Sequence, residues 1–148
     1  MAKVIIIYET RKGATQLMAE TIQESILQAG IEVILKRISE VELDELPGCA
    51  AVVLGSPTYH KDMIGTMKTF LFRLEKADLR GKVGASFGAY GWSGEAVGML
   101  GETMKNIYGM ELVEPGFKLA GSAAGADKVQ YQDFGKKIAQ KIKERDAA

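Results

Sequence analysis

An apolar run without a polar break, Val4-Ile5-Ile6-Ile7-Tyr8, restricts what this chain can fold into more than any other feature. A strand with one face in water alternates apolar and polar residues, whereas a strand covered on both faces reads as a continuous β-branched stretch. Lys3 to Tyr8 is therefore expected as a strand buried within a sheet that carries helices on both sides. It leads into Glu9-Thr10-Arg11-Lys12-Gly13-Ala14-Thr15, a loop with hydroxyls, cations and a glycine, and a helical pattern follows at once. The amino end of such a helix points free N–H groups, and the positive end of its dipole, into the loop. That makes a ready site for a phosphate.

Apolar runs and helical patterns alternate along the rest of the chain. Ala14 to Ala29 places Met18, Ile22, Ile26 and Ala29 at helical spacing, with Gly30 as the stop. Glu32 to Ile38 is expected as the second strand, Ser39 to Gly48 as an acidic stretch closed by a Pro47-Gly48 turn, and Ala50 to Gly55 as the third strand. Met63 to Leu74 reads as a helix, Lys82 to Gly88 as the fourth strand, and Glu95 to Tyr108 as a helix closed by Gly109. Glu111 to Leu119 holds the fifth strand, broken near Pro115-Gly116, and Lys128 to Lys143 the last helix, with Asp127 as its N-cap. The alternation implies an α/β chain with a parallel sheet and right-handed crossovers. Ligands of such sheets bind beyond the carboxyl ends of the strands, where strand order reverses. The loops that matter are then Glu9–Thr15, Ser56–Asp62 and Ala89–Gly94.

Composition narrows the function classes. The 148 residues, 47% hydrophobic and 26% charged, suffice for a single domain spanning 1–148 with a sizeable core. A formal net charge of +0 argues against a nucleic-acid partner. One cysteine, Cys49, excludes an internal disulfide and a cysteine-rich metal site, and one histidine, His60, excludes a multi-histidine site. Val4 to Tyr8 is too short for a signal-peptide core or a membrane span, so no membrane insertion is expected and a reducing, cytoplasmic setting is the simplest reading.

Each of the three loops carries its own chemistry. In the first, Thr10 and Thr15 offer hydroxyls, Gly13 lets the backbone approach an anion, and Arg11 and Lys12 add positive charge. The plainer alternative is a strand-to-helix turn that binds nothing. The Walker GK[ST] signature is absent, and so is the dinucleotide pattern G-x-G-x-x-G. In the second loop, Pro57 stiffens the exit from the strand, Thr58 offers a hydroxyl, and Tyr59 places a ring where ligands dock. Here the alternative has Tyr59 packed on a helix and His60 solvated in a turn. In the third, Gly88, Gly91 and Gly94 surround Trp92, the only tryptophan, and would let backbone amides reach a planar ligand through positive φ. A tryptophan held outside regular structure is costly to expose unless a flat ligand stacks on it, the alternative being a ring folded back onto the surface. A phosphate cradle beside two aromatic loops suits a flat heteroaromatic ring with one phosphate tail, and flavin mononucleotide (FMN) fits best.

These residues resemble a family. The chain is similar to a short-chain flavodoxin from end to end. The family's phosphate loop usually reads S/T-x-T/Y-G-x-T, and the matching residues are Thr10-Arg11-Lys12-Gly13-Ala14-Thr15, with Lys12 in place of a hydroxyl residue. Gly55-Ser56-Pro57-Thr58 and Phe87-Gly88-Ala89-Tyr90-Gly91-Trp92-Ser93-Gly94 look most like the FMN domain of flavodiiron (A-type) flavoproteins. The resemblance implies a three-layer flavodoxin-like sandwich, a five-stranded parallel sheet in order 2-1-3-4-5, and noncovalent FMN. It implies that Thr10 to Thr15 hold the phosphate, that Trp92 and Tyr59 flank the isoalloxazine, and that Thr58 to Lys61 and Ala89 to Gly94 contact its polar edge. It also implies electron transfer between a reductase and an acceptor protein, a diiron or iron–sulfur protein being a candidate. In many relatives a glycine-containing peptide flips beside the flavin. Here His60–Lys61 stands in that place, and a non-glycine residue is expected to resist positive φ.

Rival readings differ in what they need. A signalling receiver domain needs a carboxylate cluster after the first strand and an aspartate ending the third, and a low-molecular-weight phosphatase needs a Cys-x5-Arg loop. Neither pattern is present. A flavin-dependent NAD(P)H:quinone-type reductase stays as the alternative to a carrier.

Overall fold

Hydrophobic alternation across the strands, read in three dimensions, explains the unbroken apolar runs. In the computed structural model, which describes residues 2–91, 93–120 and 128–147, β1 (Lys3–Tyr8) is flanked by β2 (Glu32–Arg37) and β3 (Ala51–Gly55), both parallel to it. Ile5 lies opposite Ile34 on one side and Val52 on the other. β3 pairs with β6 (Val83–Tyr90), again in parallel. Val4, Ile6 and Tyr8 face one core with α1 (Ala14–Gln28) and α4 (Lys128–Ala147). Ile5 and Ile7 face a second core with α2 (Gly65–Arg73) and α3 (Glu95–Asn106). Helices cover both faces of the central strands, so β1 and β3 carry unbroken apolar runs in place of polar alternation.

The fifth strand is split, as the Pro115-Gly116 signal implied. β7 (Glu111–Leu112) pairs with the start of β6, and β8 (Phe117–Ala120) with its end. The parallel path β2-β1-β3-β6 with β7 and β8 outermost is the expected 2-1-3-4-5 order with its last strand in two pieces. A small hairpin of β4 (Thr58–Tyr59) and β5 (Asp62–Met63) is a further element, joined to the carboxyl end of β6 through Thr58 and Tyr90.

Element boundaries differ in instructive places. Ser39 to Gly48 is not a simple turn. It winds into short 3-10 helices, Ile38–Glu40 and Leu43–Gly48, each held by a glutamate that accepts a backbone N–H three residues back. The helix expected from Met63 starts at Gly65, because Met63 pairs with Thr58 in the hairpin. Gly30 and Gly109 take positive φ where helices α1 and α3 hand over to the next strands. Asp127, expected as an N-cap, lies outside the described residues.

Candidate functional site

The carboxyl ends of β1, β3 and β6 open into one cleft of about 190 Å³. Thr10, Lys12, Ala14 and Thr15 line it from the first loop, Pro57, Thr58 and Tyr59 from the second, and Ala89, Tyr90 and Gly91 from the third. All ten belong to the loops singled out by the sequence. The parallel sheet is the reason. It delivers three strand ends to the same edge, and adjacent strands in order 1-3-6 put their exit loops side by side.

The first loop is shaped for an anion. Gly13 has φ of +91°, a conformation that L side chains rarely adopt, and it turns the chain into α1. The Gly13 N–H donates to Thr10 Oγ1 at 2.9 Å, which closes the turn. Among the described residues, no side-chain hydrogen bond caps the amino end of α1. Thr15 is 1% exposed, and its Oγ1 is buried without a hydrogen-bond partner among the described residues. Buried hydroxyls are nearly always partnered. An unpartnered one lining a cleft, beside the uncapped end of a helix, marks a place where a ligand acceptor completes the set. The donor set therefore fits a phosphate.

The second loop is held from within. Ser56 is fully buried; its hydroxyl donates to Pro57 O at 2.8 Å and accepts the Ile64 N–H at 3.0 Å. Thr58 Oγ1 accepts the Ala96 N–H at 3.0 Å, so this hydroxyl anchors the start of α3. Arg11 lies over the Tyr59 ring, 4.7 Å from its centroid, linking the first and second loops. Such a contact contributes about 0.5–1 kcal/mol at an exposed site.

His60 and Lys61 depart from expectation. They were expected to resist positive φ, yet they adopt +51° and +62°. Two positive φ values between antiparallel Tyr59 and Asp62 describe a two-residue hairpin turn of the primed type, which matches strand twist better than the ordinary turns. Tertiary pairing of the hairpin overrides the local preference. Both residues are exposed and stand at the rim, outside the cleft lining.

The glycines of the third loop also work differently from the reading above. None of Gly88, Gly91 and Gly94 has positive φ. Gly88 is needed for close packing, since a Cβ there would stand 1.9 Å from the Ser56 carbonyl oxygen. Gly94 is covered by the Tyr90 ring and the Lys118 stem. Gly91 lines the cleft in open space. Trp92, expected to flank the flavin ring, lies outside the described residues. Hydrogen bonding with Ser93 holds the Glu95 carboxyl below the usual range, with Lys61 and Lys118 adding to the effect.

The sequence reading quoted Ser56 in its motif without giving it a role, and it passed over Lys118 and the Glu9–Arg37 ion pair at the first loop. The signal for that pair lay in topology. With strand 2 beside strand 1, residues ending the two strands become neighbours, and Tyr8 pairs with Arg37.

A larger concavity of about 730 Å³ lies between α2 and α3, walled by Leu71, Phe72, Met99 and Ile107. It is mainly apolar. The smaller cleft is the better site because donors, a helix end and two tyrosine rings converge there.

Residues 6–130 match the sequence profile of the flavodoxin family. The chain belongs to the flavodoxin family. Flavodoxins bind FMN and transfer electrons, and this is a flavodoxin-like FMN-binding electron-transfer fold. The structure of a flavodoxin from the domain Archaea superposes with a TM-score of 0.90 at 34% identity, covering 95% of this chain and 99% of that one. Rubredoxin oxygen:oxidoreductase from Desulfovibrio gigas superposes with a TM-score of 0.91 at 27% identity, covering 99% of this chain but 37% of that one. Nitric oxide reductase of Moorella thermoacetica is 32% identical over 145 residues, 95% of this chain and 36% of the reductase. The chain thus spans about a third of the length of the first curated relatives it matches. No described helix is long and apolar enough to cross a membrane.

Proposed function

We propose that residues 1–148 act as one electron-carrying domain that holds FMN in the cleft between the three loops. The observation that carries this reading is Thr15: a buried hydroxyl without a partner among the described residues, lining the cleft at the amino end of α1. Thr10, Arg11, Lys12, Gly13, Ala14 and Thr15 bind the phosphate through N–H groups, hydroxyls and positive charge. Pro57, Thr58, Tyr59, His60 and Lys61 on one side, and Ala89, Tyr90, Gly91, Trp92 and Gly94 on the other, bind and orient the ring. When bound, the isoalloxazine supplies one- and two-electron transfer, and the protein supplies binding, orientation and electrostatics. No side chain has to act as acid, base or nucleophile.

In this reading the electron donor is a reductase and the acceptor a separate protein centre, with diiron and iron–sulfur proteins as candidates. Two relatives are named for reduction of nitric oxide and for oxidation of rubredoxin by oxygen. This chain would take only the electron-carrying share of such chemistry, in a reducing cytoplasm where the buried Cys49 stays a thiol.

The test is a titration of the purified chain with FMN, followed by desalting, an absorption spectrum and the mass of the released cofactor. Retained FMN is expected. At a free concentration a hundredfold above Kd it should stabilise the fold by about 2.7 kcal/mol, which raises Tm by roughly 5–10 °C for a domain of this size. A chain that retains no FMN would refute the assignment. Rapid oxidation of NAD(P)H by the loaded chain with a quinone as sole acceptor would instead establish the reductase alternative.

A further inference from the structure

We infer that Arg37 is a positioning residue for the phosphate end of the cleft, acting through Glu9; this rests on the FMN reading above. The first loop opens with a carboxylate. The Glu9 side chain is 14% exposed and directly precedes Thr10, the first of the loop residues that line the cleft. An unpaired carboxylate there would repel an anionic ligand and would itself be costly to keep from water.

Arg37 answers both problems. It is the last residue of β2 and emerges beside Tyr8, so its side chain reaches across the sheet edge to Glu9. Its Nε donates to Glu9 Oε1 at 3.1 Å, and its Nη2 donates to the same oxygen. Nη2 also reaches the Thr10 carbonyl oxygen at 3.5 Å. The same Glu9 oxygen accepts the Thr10 N–H at 3.1 Å, and Thr10 Oγ1 accepts the Gly13 N–H. Hydrogen bonds therefore run without a gap from the end of β2 to the residue that opens α1. Arg37 is steadied in turn by its own N–H, which donates to Glu40 Oε1 at 2.9 Å. Arg37 does not line the cleft. It neutralises Glu9 and sets the shape of the loop.

FMN and riboflavin differ by the phosphate alone, so they separate this role from general support. Both are titrated into the wild-type chain and into Arg37→Met, Arg37→Lys, Glu9→Gln and the Glu9→Gln/Arg37→Met double variant, with a urea midpoint for each. Arg37→Met is expected to weaken FMN about tenfold or more and to leave riboflavin within about twofold. Arg37→Lys should fall between, because one ammonium cannot reproduce the guanidinium fork. The double variant should regain most of the FMN affinity, because the uncompensated anion is gone. Unchanged FMN affinity in Arg37→Met, equal weakening of FMN and riboflavin, or no recovery in the double variant would overturn the inference. A wild-type chain that binds neither flavin overturns the FMN reading itself, and the wild-type titration alone reveals that case.

Discussion

Replacing Thr15 by valine removes one oxygen and keeps the shape of the side chain. Because that oxygen is buried and lacks a partner among the described residues, the ligand-free chain should gain stability by about 1 kcal/mol. FMN affinity should fall about tenfold in the same variant, since a hydrogen bond to a charged acceptor is lost. Opposite signs for stability and affinity are the mark of a residue kept for binding. Urea midpoints and FMN titrations read both, and a variant that changes neither removes Thr15 from the site. Gly88 and Gly91 make a second contrast at this scale. A Cβ on Gly88 meets the Ser56 carbonyl oxygen, whereas one on Gly91 meets nothing within 4 Å. Gly88→Ala should cost roughly 1–3 kcal/mol or more, and Gly91→Ala should stay within about 0.5 kcal/mol. Equal costs would show that β6 shifts to relieve the contact.

Elements were legible where a single periodicity ran long enough to outvote local exceptions. β1 and β3 bury five apolar residues in a row, and α1 and α3 each bury one apolar stripe, from Met18 to Ile26 and from Ala96 to Met104, while Leu17 and Leu27 of α1 stay exposed. The loop after β1 was legible because a buried strand, a glycine and a helix start all point to one geometry. The β4–β5 hairpin was not. Its strands have two residues each, and its turn lacks the asparagine or glycine that usually announces positive φ. It exists because Thr58 joins β6 through Tyr90 and because Asp62 is anchored by Lys68 at 2.5 Å. The energetic consequence is testable. His60→Asn combined with Lys61→Gly supplies residues suited to the turn, and should stabilise the ligand-free chain by roughly 1 kcal/mol or more. An unchanged urea midpoint would mean that the turn carries no strain.

At the scale of the whole molecule, two dry cores sandwich one sheet, and strand order came from family resemblance because periodicity cannot rank parallel strands. Charge is what varies around that frame, and it determines how stability responds to pH. The Lys68 ammonium holds Asp62 below its ordinary value of 3.8, Lys36 holds Glu45 below 4.5, and Ser93 holds Glu95 below 4.5. A depressed folded pKa means that the folded state binds the proton more weakly than the unfolded chain does. The stabilisation is therefore complete above the ordinary values and is lost as pH falls through the folded ones. Burial acts at the other end, raising Cys49 above 9.0 and Tyr8, Tyr108 and Tyr131 above 10.0. There the neutral form is favoured, so the contribution is complete below the ordinary values and is lost as pH rises through the folded ones. A plateau between about pH 5 and 8 should result, with losses on both sides. The acid limb should shrink in added salt, since the Lys36–Glu45 and Lys68–Asp62 pairs are partly exposed and screened. The alkaline limb comes from burial and should not. Cys49→Ala should move the onset of that limb upward into the tyrosine range. Urea midpoints measured across the pH range at low and high salt check each part, and an alkaline onset unmoved by Cys49→Ala would exclude the thiol as its source.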